Sequence, residues 1–343
     1  MRSGIARRTW LEPFFAQQTS AEAVSATPPV RVVAVHRSGL QVVGAGIDET
    51  IPPRADVTVG DWLLLDRARP RASRVLSRKS LVKRRAPGTN RQVQLIAANI
   101  DTVFVVTSCN QDFNLARLER YVALAFEAEI TPVIVLTKAD LVTDLQSWID
   151  AAGTVSDRVP VVALDARGDE PRAVLSPWCR PGRTVAFLGS SGVGKSTLTN
   201  ALAGSDAIAT QAIREDDAKG RHTTTRRELH VIPGGCLVLD TPGMRELQLA
   251  DTASGIADTF EDIQTLSAQC RFGNCQHESE PGCAVRDAID RGRLDPARLH
   301  RWRKLMAEDS FNAASLAERR AKERAFGKMV RRVMKETKSR RRP

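Results

Sequence analysis

The chain has 343 residues, 42% of them hydrophobic, so it is long enough for two or three domains, each with a core of its own. Its 51 Lys and Arg against 40 Asp and Glu give a formal net charge of +11, which favours a polyanionic partner such as nucleic acid. No apolar span is long enough for a membrane, and the patch at 10–15, broken by Glu12 and Pro13, is too short for a secretory signal, so the sequence reads as cytoplasmic with no membrane partner.

Residues 1–28 read as a loosely ordered lead-in with a short helix near 10–18. From Val30 the pattern changes to short β-type runs at 30–35, 40–43, 57–59 and 62–65, punctuated by Gly, Pro and Asp, which predicts a small all-β barrel or sandwich. The stretch 67–91 contains no acidic residue and holds Arg67, Arg69, Arg71, Arg74, Arg78, Lys79, Lys83, Arg84, Arg85 and Arg91, which points to phosphate contact. Trp62 is the only aromatic residue between Val30 and Gln94, so contact through charge and shape is expected rather than base stacking.

From Ile100 the texture is α/β. Strands are expected at 102–107, 131–136, 159–163 and 184–188, with a helix over 115–128, and this alternation predicts a parallel sheet covered on both faces. After the apolar run 185–188 comes Gly189-Ser190-Ser191-Gly192-Val193-Gly194-Lys195-Ser196-Thr197, which fits the phosphate-loop pattern in its required strand–loop–helix context. The glycines let backbone N–H groups turn toward a phosphate, Lys195 suits the β- and γ-phosphates, and the Ser196 hydroxyl suits Mg²⁺.

The choice of base falls to Thr137-Lys138-Ala139-Asp140 at the end of a predicted strand. The Asp140 carboxylate can accept from guanine N1–H and the 2-amino group, donors that adenine lacks there, so GTP is the expected ligand. A third element, Asp240-Thr241-Pro242-Gly243, follows the strand at 236–239: Asp240 would hold Mg²⁺ through a water and the Gly243 N–H would sense the γ-phosphate. Between them Gly220-Arg221-His222-Thr223-Thr224-Thr225 suits a switch loop in which Thr223 or Thr224 completes the Mg²⁺ shell. Met244 stands where a Ras-type enzyme has its water-orienting Gln, so hydrolysis is expected to be slow alone, with His222 brought in as the catalytic group when a partner orders the loop.

Cys270, Cys275, His277 and Cys283 offer three thiolates and an imidazole, a complete tetrahedral set for one structural Zn²⁺. Cys109, Cys179 and Cys236 read as packed thiols. The tail from Leu316 is rich in Arg and Lys and reads as a basic helix with a frayed end suited to RNA.

The base-reading element precedes the phosphate loop, the order of a circularly permuted GTPase. On this order, the segment Gly220 to Thr225 and the Cys270 to Cys283 cluster, the chain resembles the ribosome small subunit-dependent GTPase A family. The resemblance implies an N-terminal OB-fold, a central permuted GTPase domain and a C-terminal zinc-binding domain. It also implies late maturation of the small ribosomal subunit, with GTP hydrolysis raised by that subunit and contact with its rRNA. The expected division is 1–29 extension, 30–95 OB-like RNA-binding domain, 96–250 GTPase domain and 251–343 zinc-binding and basic helical domain, in a monomer. Two positions depart from the family pattern: Thr137 replaces the usual Asn, and Asp165-Ala166 stands where a Ser-Ala pair closes over the base, leaving the Ala166 N–H for that role. The rival functions are a GTP-dependent ribosome-binding checkpoint with negligible turnover, or a large-subunit assembly GTPase.

Overall fold

The computed structural model describes residues 12–85, 93–204, 227–240 and 252–313. Two short helices, α1 (Pro13–Ala16) and α2 (Ala21–Ala26), precede strands β1 (Pro29–His36), β2 (Gly39–Gly44), β3 (Ile47–Ile51), β4 (Trp62–Leu64) and β5 (Arg74–Val75). Then β6 (Leu81–Arg85) and β7 (Val93–Ala98) pair as a separate antiparallel ribbon. The α/β part follows as β8 (Thr102–Ser108), α3 (Leu115–Glu127), β9 (Thr131–Thr137), α4 (Leu145–Gly153), β10 (Val161–Ala163), α5 (Glu170–Leu175), β11 (Thr184–Leu188), α6 (Lys195–Ala203), β12 (Arg227–Val231) and β13 (Leu237–Asp240). The described chain closes with α7 (Ala253–Thr259), α8 (Glu261–Ser267), α9 (Ala284–Asp290) and α10 (Pro296–Ala313). No helix among the described residues is long and apolar enough to cross a membrane.

The strands β8 and β9 are runs of Val, Ile, Leu and Phe buried on both faces, because helices cover the parallel sheet from both sides. One core layer joins that sheet to α3 and α4 through Leu118, Val122, Ile134 and Ala152; the other joins it to α5 and α6 through Leu175, Leu198 and Leu202. Helix α3 starts where the Asn114 side chain accepts from Arg117 N at 3.0 Å, and it buries Leu118, Val122 and Ala125 on one face.

The sheet order is β10-β9-β8-β11-β13-β12-β1-β2-β3. The N-terminal β unit is therefore not a free-standing barrel or sandwich. Its strand β1 pairs antiparallel with β12, Ala34 opposite Glu228 and Val35 opposite Arg227, so one sheet runs through both parts. The unit keeps a core of its own, built from Val30, Val32, Leu40, Val42, Ile47 and Leu63. Across the seam the buried Arg31 guanidinium donates to Thr184 Oγ1 at 2.7 Å, Asn99 O at 3.2 Å and Gly60 O at 3.4 Å. Burial pulls its pKa down to about 10, opposed by Asp101, Glu12 and Asp61, so it is still charged at neutral pH.

The structure differs from the sequence expectations at two further places. Residues 57–59 form no strand but lead into a turn at 58–61, where the Asp61 N–H donates to Thr58 O at 3.2 Å, the buried Asp61 carboxylate accepts from Thr58 N at 2.8 Å and Gly60 takes φ +90°. The basic stretch is partly spent inside the fold: Arg78 pairs with the fully buried Asp61, and Lys79 with Glu12 and Asp101, acids supplied by distant segments. Arg67, Arg69, Arg71 and Arg74 remain exposed. Trp62 is core, packed on Phe15 and under Arg31.

At the C-terminal end Ile256, Phe260, Ile263, Val285, Leu299 and Leu305 form a helical core that also takes in Ala123 of α3. It is clamped to α3 by charge. Arg298 on α10 makes a two-pronged pair with Asp262 of α8 (2.7 and 2.9 Å), and the Arg301 Nε–H is shared between the two oxygens of the buried Glu119 of α3 (2.9 Å each).

Candidate functional site

The segment 189–194 turns between the end of β11 and the start of α6, at the carboxyl edge of the parallel strands. Gly189 takes φ +151°, and a Cβ there would lie 2.3 Å from Val106 O of β8, so only glycine lets the loop pass this close to the neighbouring strand. Gly194 takes φ +95° as the residue before α6. The Lys195 ammonium donates to Gly189 O at 2.9 Å and to Ser190 O. A loop of positive-φ glycines ending in a lysine on a helix N-terminus fits an anionic phosphate.

The structure brings the base-reading element against this loop. Thr137 ends β9, is fully buried, and its hydroxyl donates to Val193 O at 2.7 Å, with Thr107 O a second acceptor at 3.2 Å. The threonine that departs from the family's asparagine thus ties the two elements directly together. Lys138 follows with a left-handed φ of 57°, an uncommon conformation for a side chain of this size. Asp140 is exposed. Ala166 lies beside the same place: a Cβ built on Gly194 would be 3.6 Å from the Thr137 side chain and 3.7 Å from Ala166 Cβ. The Asp165 carboxylate is spent locally, accepting from Arg167 N at 3.0 Å. Asp240 ends β13, the parallel neighbour of β11, so its backbone reaches the same edge. His222, Thr223, Thr224, Gly243 and Met244 lie outside the described residues, as do Arg91 and the basic tail.

In the C-terminal part the four expected ligands converge, with their ligand atoms within 4.8 Å of one another. Cys270 Sγ is 3.9 Å from Cys283 Sγ, and His277 Nδ1 is 3.6 Å from Cys270 Sγ and 3.4 Å from Cys283 Sγ. Tetrahedral zinc with ordinary bond lengths spaces sulfurs about 3.8 Å apart and sulfur from nitrogen about 3.5 Å, so the residues fit the ion. Burial, helped by Arg303, holds the His277 ring below its usual pKa, which favours the neutral form that a ligand needs.

Two partners of these sites carry no sequence signal. The Ser267 hydroxyl donates to Ile263 O at 2.7 Å, so its lone pair accepts from His277 Nε2 at 3.1 Å. That places the ring proton on Nε2 and leaves Nδ1 facing the thiols. Arg117, in the first turn of α3, donates to Ser190 Oγ of the phosphate loop at 2.5 Å.

A model of the RsgA GTPase family matches residues 75–250. The chain belongs to that family. A relative from Vibrio vulnificus, small ribosomal subunit biogenesis GTPase RsgA 2, is 50% identical over 328 residues, 94% of this chain and 93% of its own length. A Mesorhizobium japonicum relative of the same description, RsgA, is 50% identical over 312 residues, 88% of this chain and 89% of its own. Among solved structures, YjeQ from Thermotoga maritima is similar with a TM-score of 0.61 and 24% identity, covering 82% of this chain and 97% of that one. YloQ, described as a circularly permuted GTPase, gives a TM-score of 0.55 at 24% identity, covering 84% of this chain and 96% of that one. This chain shares their permuted GTPase fold. As a member of the RsgA GTPase family it is a GTP-hydrolysing enzyme, and it adds a Cys/His cluster that could bind zinc.

Proposed function

We propose that this GTPase acts on the small ribosomal subunit during its late maturation, hydrolysing GTP at a rate raised by that subunit. The observation that carries this reading is 50% identity along nearly the whole chain to relatives described as small ribosomal subunit biogenesis GTPases.

In this reading the loop 189–197 cradles the phosphates, with Lys195 on the β- and γ-phosphates. Ser196, Thr223 or Thr224, and Asp240 through a water hold Mg²⁺. Thr137, Lys138, Ala139 and Asp140 read guanine, and the Ala166 N–H closes over it. The Gly243 N–H senses the γ-phosphate, and His222 orients the attacking water once the subunit orders its loop. The cluster of Cys270, Cys275, His277 and Cys283 holds one structural Zn²⁺. The β unit at 30–95 is an OB-type module, the GTPase domain spans 96–250, and 251–343 forms the zinc-binding and basic helical part after a 1–29 extension. Contact with rRNA comes from exposed Arg67, Arg69, Arg71 and Arg74 together with the basic tail. The protein works as a cytoplasmic monomer.

The test is GTP turnover measured alone, with isolated small subunits and with isolated large subunits. Stimulation by small subunits only is expected. Stimulation only by large subunits would make this a large-subunit factor, and stimulation by neither would favour a checkpoint that uses GTP as a ligand. His222→Ala should abolish the stimulation and leave nucleotide binding intact.

A further inference from the structure

We propose that Arg117 is a positioning residue for nucleotide binding, a second cation that holds the phosphate loop in its binding shape from outside. This rests on reading 189–197 as that loop.

The loop pattern fixes its glycines, its lysine and its hydroxyl, and leaves the second position open. Here that position is Ser190, and it is gripped from two sides. Lys195 donates to its carbonyl, and Arg117 Nη1 donates to its hydroxyl at 2.5 Å. The guanidinium is itself steered, since Nη1 also reaches Asp112 O at 3.4 Å and Asn114 caps the Arg117 N–H at 3.0 Å. Arg117 brings a second positive charge to the loop beside Lys195, which raises the local potential for an anion. A charge-assisted bond to a loop hydroxyl restricts the loop most at the residue next to Gly189, whose backbone is already pressed against Val106 O.

The helix that carries Arg117 is fixed elsewhere. On α3, Glu119 is held by Arg301 and Arg298, Arg120 pairs with Glu308, and Glu127 accepts from Ser254 Oγ at 2.8 Å and Gly255 N at 3.1 Å. Arg117 is therefore presented to the loop by a strut that the C-terminal helices clamp, and it acts from a fixed platform.

The experiment measures binding of fluorescent GDP and of a non-hydrolysable GTP analogue, and steady-state GTP turnover, for full-length Arg117→Ala, Arg117→Lys, Ser190→Ala, the Arg117→Ala/Ser190→Ala double variant and Lys195→Ala, each checked for folding by circular dichroism. Arg117→Ala is expected to weaken both nucleotides by about tenfold and to raise KM by a similar factor, the size of one charge-assisted hydrogen bond, with kcat changed less than twofold. Ser190→Ala should show most of the same loss, the double variant little more than either single one, and Arg117→Lys an intermediate value. Nucleotide affinity and KM within twofold of the parent in Arg117→Ala, or losses that simply add in the double variant, would overturn the assignment. If Arg117→Ala does not fold, Ser190→Ala and Arg117→Lys decide the question by the same criteria. Lys195→Ala separates the two readings: if it too leaves binding unchanged, the phosphate-loop assignment fails, and if it alone abolishes binding, only the role of Arg117 does.

Discussion

Arg298→Met should loosen the C-terminal helices without touching any nucleotide contact. The Arg298 side chain is 9% exposed and reaches five acceptor groups. It makes the paired bonds to Asp262 and donates to Thr154 O at 2.8 Å, Thr259 O at 3.2 Å and Val155 O at 3.3 Å, with Glu119 at 3.4 Å. Its Cζ also lies 4.7 Å from the centroid of the Phe260 ring. Methionine keeps the apolar stem and the ring contact but removes every donor. Asp262 is 44% exposed on its side chain and regains water, so its loss is small. Glu119 is 1% exposed but keeps both 2.9 Å contacts from Arg301, so the loss falls on the three carbonyls left without this donor. Leaving a buried acceptor without its donor costs about 1–3 kcal/mol each, so the three carbonyls together lose about 3–5 kcal/mol. Amide hydrogen exchange over 252–313 reads this directly: protection should fall by about 10²- to 10³-fold while peptides of β8 and β9 keep theirs. A fall of less than about tenfold would refute the reasoning, because it would mean that desolvating the guanidinium cancels its bonds.

Thr137→Val removes the hydroxyl that joins β9 to Val193 O and strands a buried carbonyl; nucleotide affinity measured by fluorescence titration should fall about fivefold or more, from a loss of roughly 1–2 kcal/mol. Cys283→Ser should bring bound zinc, measured by elemental analysis, below one per chain while α9 keeps its start, since a serine hydroxyl can take over the bond that Cys283 Sγ accepts from Arg286 N at 3.5 Å. Burial pushes the Glu119 carboxyl above its usual pKa, with Arg301 and Arg298 opposing it. The folded state therefore holds that proton more tightly than the unfolded one, so this contribution is full below the ordinary glutamate pKa and lost as pH rises through the folded value. Denaturant midpoints of Glu119→Gln taken across that range should lack this part of the parent's slope.

The features most legible in the sequence were those whose chemistry is local. The phosphate loop, the Thr137 to Asp140 element and the Cys/His cluster announce themselves because the spacing along the chain is itself the site, and strands β8, β9 and β11 because a doubly covered strand must be apolar throughout. What was hidden depends on distant partners. The seam between β1 and β12 has no marker, since Ala34 and Val35 would look the same on a solvated edge. Arg78 and Lys79 read as phosphate contacts because their carboxylates come from elsewhere in the chain. Ser267 and Arg117 sit on helices whose sequence says nothing of what lies across from them. The segment 57–59 reads as a strand because two buried valines flank a polar residue whose partner, Asp61, closes a turn at 58–61.

The seam through β1 also sets the order in which the molecule is built. During synthesis β1 emerges early and its neighbour β12 roughly 200 residues later, a delay of order 10–40 s at usual elongation rates. Until then β1 has β2 along one side and β4 against its first residues, and only the stretch around Ala34 and Val35 waits uncovered. So short an open edge is a poor template for a neighbouring nascent chain. The N-terminal unit can rest on its own core, and the catalytic sheet is completed last, when a late strand closes onto one laid down first.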